Sequence, residues 1–218
     1  MFHPMSRASA GATLAADDAS GIVKAAAAFD FEKLKGRPNL NQTPLGARRE
    51  WSLEKLLALT QAEGVELWRT LEAVDMREMD GHYMGLGPDA MNEQYQKGYA
   101  AFMFDEKSPR GYWLGKAFKP HTDTTGEGYN RWRFPGGKVE RNLRMATRMG
   151  PSLVDDKMSY ILDYSAFHPK MSLVDELRKL DEAIYLGIAT RDAGDGKRDR
   201  PDFFILIGPT DEWVGGAK

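Results

Sequence analysis

The sequence predicts a mainly β fold, a small antiparallel barrel preceded by helices, and three observations carry that prediction. From Gly111 onward, short runs of alternating residues are punctuated by glycine and proline turns. No helical pattern of crossover length separates those runs, so neighbouring strands are expected to pair antiparallel. Hydrophobic residues make up 42% of the 218 residues and charged residues 28%, which is enough apolar mass for a core. An up-and-down barrel is the expected form, with a sandwich as the competing arrangement.

The elements follow in chain order. Residues 1 to about 20 are Ala, Ser, Gly and Asp without periodicity and are expected to be mobile. Ile22, Ala25, Ala26 and Phe29 predict a short helix over 22–34, ended by Gly36 and Pro38. Turn chemistry fills 37–49, which reads as a linker or surface strap. Residues 1–50 therefore form an extension, and residues 51–218 form the helices and barrel. Ser52 is placed to cap a helix whose face is Leu53, Leu56, Leu57 and Ala62. Gly64 is expected to interrupt it, with Val65, Trp68, Leu71 and Val74 as a second stripe. A further helix is expected from Asp89 to about Ala101, with Met91, Tyr95 and Tyr99 four residues apart. Seven strands follow the period-two rule: 81–87, 111–118, 128–134, 139–149, 157–164, 183–190 and 202–208. The charged run 190–202 reads as a solvated hairpin loop turning at Gly194 and Gly196.

Several blocks resemble one family. LEAVDMREMDGHYMGLG (71–87), GYWLGKAF (111–118), MSYILDYSAFHPKMSLVDELRKLDEAIYLGIAT (158–190) and FFILIG (203–208) are similar, in order and spacing, to the GXWXXXXG-signature proteins and their companion domain. Tyr83 stands where the signature has tryptophan, and Pro88 where it closes on glycine. The resemblance implies a compact calycin-like barrel, akin to lipocalins and fatty-acid-binding proteins, and no particular activity.

Charge and composition narrow the partners. The 30 basic and 32 acidic residues leave a formal net charge of −2, so no nucleic-acid partner is expected. The chain has no cysteine, which excludes disulfides, thiolate metal sites and a cysteine nucleophile. No apolar run of signal-peptide or membrane-span length is present, and the expected location is the cytoplasm. No phosphate-binding loop, dinucleotide fingerprint or nucleophile elbow occurs. The apolar helices near 52–74 either cover a barrel end or form a homodimer interface.

Residues able to carry chemistry are read from the strand faces. Alternation sets Tyr112, Leu114, Lys116 and Phe118 on one face and Trp113, Gly115 and Ala117 on the other. Lys116 between apolar neighbours is either a cavity lysine with a lowered pKa or a strand-end lysine that snorkels to water. Tyr129, Arg131 and Arg133 alternate with Asn130, Trp132 and Phe134, and Arg131 is the inward candidate for binding a carboxylate or phosphate. Asp163, between Leu162 and Tyr164, is either a general base or the acceptor of turn hydrogen bonds. Among the histidines His3, His82, His121 and His168 no pair has metal-ligand spacing, and His121 and His168 lie in loops beyond strand ends.

Two functions compete on this reading. One is a cofactor-independent isomerase, cyclase or lyase acting on a small apolar or aromatic molecule, with Lys116, Asp163, Tyr160 and Tyr83 catalytic. Trp113, Tyr129, Arg131, Trp132, His121 and Tyr164 would bind the substrate, and neither metal nor cofactor is expected. The other is a lipocalin-like carrier of a hydrophobic molecule, or of heme held by one histidine. A third, plainer reading is a barrel filled by side chains that binds a partner through its helices.

Overall fold

In a computed structural model of the protein, the residues described are 44–45, 49–50, 53–87, 102–181, 183–199 and 201–216. The predicted helices at 22–34 and 89–101, the Ser52 cap and most of the N-terminal extension lie outside them. Within the predicted strap, Pro44–Leu45 pairs with Arg49–Glu50 as a two-stranded ribbon.

One antiparallel sheet of nine strands makes the body of the protein, and eight of them close into a ring. These are β1 (Gly81–Leu86), β2 (Tyr112–Pro120), β3 (Thr125–Arg133), β4 (Val139–Pro151), β5 (Met158–Asp163), β6 (Val174–Asp181), β7 (Ile184–Thr190) and β8 (Asp202–Asp211). Each strand pairs with the next in sequence, and β8 returns to β1, so the topology is a simple up-and-down barrel. The ninth strand, Glu72–Ala73, adds to the outside edge of β6. The predicted hairpin of 190–202 is present, Asp192–Gly194 pairing with Lys197–Arg198, but it turns at Asp195 and Gly196, both with positive φ, and Gly194 ends the first strand instead of forming the turn.

The strand that sequence reasoning lacked is β6, VDELRKLD. Its charge density reads as a solvated face, yet Asp175, Glu176, Leu177 and Arg178 are all buried. Arg178 explains how one such charge is accommodated. Its guanidinium lies 3.8 Å over the Trp68 ring and makes two hydrogen bonds, 2.8 and 2.6 Å, to the Asp155 carboxylate.

The helices cover the outer wall. Leu53–Leu57 (α1) and Gln61–Arg69 (α2) are separate, because Thr60 starts a new helix with a capping box. The Thr60 hydroxyl accepts from Glu63 N at 3.2 Å and the Glu63 carboxylate accepts from Thr60 N at 2.9 Å. Gly64 therefore does not interrupt the helix. It sits inside α2 because the Phe203 ring lies where a Cβ would be. Val65, Leu67 and Trp68 of α2 pack on Ile184, Leu186, Ile188, Phe203, Ile205 and Ile207. That is why β7 and β8 are apolar on both faces: one face lines the barrel and the other lies under the helix. Each such fully buried side chain contributes roughly 1.5–3 kcal/mol.

One end of the barrel is closed. The segment between α2 and β1 places Val74, Met76 and Met79 in the core with Tyr83, Phe118, Met145, Tyr160, Leu177 and Tyr185. The rings meet at an angle, with centroids 5.5 Å apart for Tyr83–Phe118 and Tyr83–Tyr185 and 5.6 Å for Phe118–Tyr160. Tyr83 donates its hydroxyl to the Glu78 carbonyl at 2.8 Å, tying the closing segment to β1. No helix among the described residues is long and apolar enough to cross a membrane.

Candidate functional site

The opposite half of the barrel is open and holds a buried polar network, which starts from a β-bulge. In β2, Trp113 faces Trp132 and Gly115 faces Arg131, so Leu114 is an extra residue. Gly115 has φ +119°, and a Cβ there would run into the Tyr83 carbonyl. The extra residue breaks the expected alternation. Trp113 and Lys116 fall on the inner face together, whereas strict period two sets them on opposite faces.

Lys116 is 4% exposed and does not snorkel. Its Nζ donates to Asn130 Oδ1 at 3.0 Å and to the Tyr164 oxygen at 2.7 Å, and lies 2.7 Å from Asp175 Oδ2. Tyr164 in turn donates to Asp175 Oδ2 at 2.7 Å and accepts from Asn130 Nδ2 at 3.0 Å. Trp113 Nε1 completes the set by donating to Asn130 Oδ1 at 2.9 Å. The rings of Trp113, Tyr164 and Phe204 stand 5.3–5.5 Å from Nζ, adding cation–π attraction. Residues from β2, β3 and β6 and the end of β5 thus meet across the lumen and form the floor of the open half.

Burial draws the Lys116 ammonium below the ordinary lysine range, while the Asp175 carboxylate pulls the other way. Burial and the same carboxylate hold the Tyr164 phenol well above its ordinary value, against the hydrogen bond from Asn130. Tyr164 therefore acts as a proton-bearing donor at neutral pH. Two buried polar atoms at this site have no hydrogen-bond partner among the described residues: Asp175 Oδ1 and Trp132 Nε1.

Above the floor lies a cavity of about 760 Å³, walled by Trp113, Trp132, Leu143 and Phe204. Leu143 enters it from a bulge in β4 and has φ 51°, a left-handed conformation costly for a branched side chain. Arg191, Asp199 and Asp202 stand at the mouth, with Arg191 Nη1 3.5 Å from Asp202 Oδ2. Burial raises the Asp202 carboxyl to about 6.

Of the residues singled out from sequence, Lys116, Trp113, Trp132 and Tyr164 line this cavity. Tyr83 and Tyr160 point inward but belong to the filled end. Asp163 sits at the exit of β5 and accepts from Ser165 N at 2.8 Å and Ser165 Oγ at 2.6 Å, the turn role rather than the base role. Tyr129 and Arg131 are on the outer wall, because Asn130 and Trp132 take the inner face. There Tyr129 stacks on Trp213 at 4.5 Å and bonds His82 Nε2 at 2.8 Å, and Arg131 lies 3.9 Å from Asp211. His121 lies in the β2–β3 turn at the closed end, half exposed and 3.4 Å from Glu127. No histidine is among the described residues lining the cavity. Among the described residues no group of three or more His, Asp or Glu is placed to hold a metal ion.

Asn130 and Asp175 are the network residues that sequence reasoning missed. Asn130 shares a face with Trp132, so fixing which face of β3 turns inward would have found it. Asp175 lay in a segment not read as a strand. A signal did exist, since a closed antiparallel barrel needs an even number of strands and seven were counted. The unassigned stretch between β5 and β7 had to supply the eighth.

No family model and no curated protein matches the chain. Among solved structures, a protein from Thermomonospora curvata is similar at 18% identity, covering 66% of this chain and 83% of that one with a TM-score of 0.44.

Proposed function

We propose that this protein is a cofactor-independent enzyme that moves a proton within a small, largely apolar or aromatic substrate, as an isomerase or a related cyclase or lyase. The observation that carries this reading is the buried Lys116–Asp175 pair, bridged by Tyr164, on the wall of a cavity rather than inside packed core. A buried ion pair gives little stability over apolar residues of the same volume, so its place beside open space favours a role in binding or chemistry.

The roles follow from the hydrogen bonds. Asp175 Oδ2 is held by Lys116 and Tyr164, which fixes the carboxylate and leaves Oδ1 as the base. A substrate C–H bond breaks, its electron pair spreads into an adjoining carbonyl or conjugated system, and the proton passes to Oδ1. The same carboxylic acid returns the proton at another carbon, so no oxidant or reductant is needed. The Lys116 ammonium and the Trp132 N–H stabilise the negative charge that develops. Kinship with the calycin-like GXWXXXXG-signature proteins and a cytoplasmic location belong to the same proposal.

A carrier is the second reading, and one observation favours it: all three Nζ hydrogens of Lys116 have acceptors within the network. Deuterium exchange separates the two. Aryl and alicyclic ketones in D₂O should lose their α-hydrogens faster with the protein present, followed by proton NMR. Asp175→Asn should slow this by about 10²–10⁴-fold, the usual contribution of a general base, with ketone binding retained. Binding by the wild type without any exchange would establish the carrier instead.

A further inference from the structure

We infer that Leu143 sets the size limit of the substrate: it admits a ketone whose α-carbon is slim and turns away one that is branched there. The inference rests on the proposal that this carbon is brought to the polar floor, and it narrows the class of ketone that can reach it. Leu143 is half-buried, and among the described residues it is the one that β4 gives to the cavity. Its chain neighbour Asn142 is paired with Asn130, whose side chain joins Lys116 and Tyr164 on the floor. Two residues further on, Met145 is fully buried in the closed half, and Leu143 packs against that same cluster. Leu143 therefore stands at the level of the floor and takes up room where the reacting end of a substrate has to go.

The backbone carries strain to hold it there. Between the pairs Gly128–Met145 and Asn130–Asn142, β3 has Tyr129 alone where β4 has Leu143 and Arg144, so Leu143 is the first residue of a β-bulge. Its φ of 51° is the conformation for which that bulge position ordinarily takes glycine. Two other non-glycine residues among those described have positive φ, Asp156 and Asp195, both exposed in hairpin connections, where aspartate tolerates it. Glycine at 143 would make the same bulge without strain. The leucine is thus explained by its side chain and not by the backbone, and that side chain lines the cavity. The other apolar walls, Trp113, Trp132 and Phe204, are broad and flat and suit the ring of an aryl ketone.

Three phenyl ketones that differ only at the α-carbon test this by calorimetry on the full chain: acetophenone, propiophenone and isobutyrophenone, with no, one and two methyl groups added. In a site with room to spare, each methyl would raise affinity about fourfold, the factor for burying one carbon. The wild type should instead lose about 10-fold per methyl, the discrimination of a hydrophobic pocket that is one carbon too small. Leu143→Ala and Leu143→Gly should both reverse the order, so that isobutyrophenone binds tightest. In urea, Leu143→Gly should have the higher midpoint of the two, opposite to the usual order in a strand, because only glycine relieves the backbone. The wild-type series decides alone if neither variant folds. An affinity that rises along that series, an order that the variants leave unchanged, or no ketone bound by the wild type would overturn the inference. A glycine variant less stable than the alanine variant would overturn it too, because the leucine would then carry no strain to account for. Reversal by the variants without deuterium exchange of acetophenone keeps Leu143 as the size limit of a carrier and removes the catalytic reading. Exchange of acetophenone with the order unchanged in the variants does the opposite.

Discussion

The two halves of the barrel lumen are built from the same strands and do opposite things. On β2 the closed half has Phe118 and the open half Lys116. On β5 and the residue just past its end the pair is Tyr160 and Tyr164, on β6 Leu177 and Asp175, and on β7 Tyr185 and Ala189. A step of two to four residues along each strand converts a packed aromatic core into a polar floor with space above it. The closed half fills its volume with interlocking rings, so its side chains have one arrangement. That rigidity is what the open half needs, because Lys116, Tyr164 and Asp175 must keep hydrogen-bond distances across the lumen without a packed core of their own. Fold and site are thus neighbouring layers of one structure.

The largest expected effects break the comparison into its energetic parts. Phe118→Ala, in the closed half, should cost about 3–5 kcal/mol through the cavity it leaves. Lys116→Met, in the open half, should cost a similar ~3–5 kcal/mol because it strands a buried carboxylate. The two differ in what repairs them. Adding Asp175→Leu to Lys116→Met should restore stability to about the wild-type value or above it, since the replaced pair is apolar and of similar volume. Urea denaturation of the three variants measures this. A double variant no more stable than Lys116→Met alone would show that the floor is itself a stabilising element.

A smaller effect sharpens the contrast between two tyrosines four residues apart. The Tyr160 hydroxyl makes no well-formed hydrogen bond, with Thr147 beside it, whereas the Tyr164 hydroxyl joins Lys116, Asn130 and Asp175. Tyr164→Phe should cost about 1–3 kcal/mol, the penalty for leaving buried groups without their partner, and Tyr160→Phe close to nothing. Thermal melts resolve the pair, and equal losses would mean that the network is no more than ordinary core.

Much of this architecture was legible from sequence, and what was not has identifiable physical causes. Alternation locates seven strands, and it marks Lys116, Trp113, Trp132 and Tyr164, which the fold brings together. Alternation failed at β2, where one extra residue turns Trp113 to the same side as Lys116. It failed at β3 because period two gives which residues share a face and not which face turns inward, so Arg131 was preferred over Asn130. It failed at β6 because buried charges look like solvated ones until their partners are known. Asp175 is paired with a lysine 59 positions away in sequence and Arg178 with Asp155 across the outer wall. Local pattern cannot report long-range pairing.

The smallest effect compares the two ends of the barrel by pH. His82, on the outer wall near the closed end, is buried with its Nε2 on the Tyr129 hydroxyl. Burial first, then the nearby Arg131 and Arg141, lower it to about 4 from its ordinary 6.5, with Asp211 opposing. The unfolded chain therefore takes up this proton before the folded one does, so stability falls as pH drops from about 6.5 toward 4 and is unaffected above that window. Asp202, at the open mouth, runs the other way. Its carboxyl titrates at about 6 when folded against an ordinary 3.8, so the folded protein binds the proton first and stability rises as pH drops from 6 toward 3.8. Over the shared window the two slopes oppose, each at most about 1.4 kcal/mol per pH unit. The wild type should be flatter between pH 6 and 4 than either variant. Asp202→Asn should expose the His82 term and lose stability faster on acidification, and His82→Gln should expose the Asp202 term and gain stability on acidification. Denaturation midpoints at pH 6, 5 and 4 decide it, and parallel curves for all three proteins would show that neither group changes its proton affinity on folding.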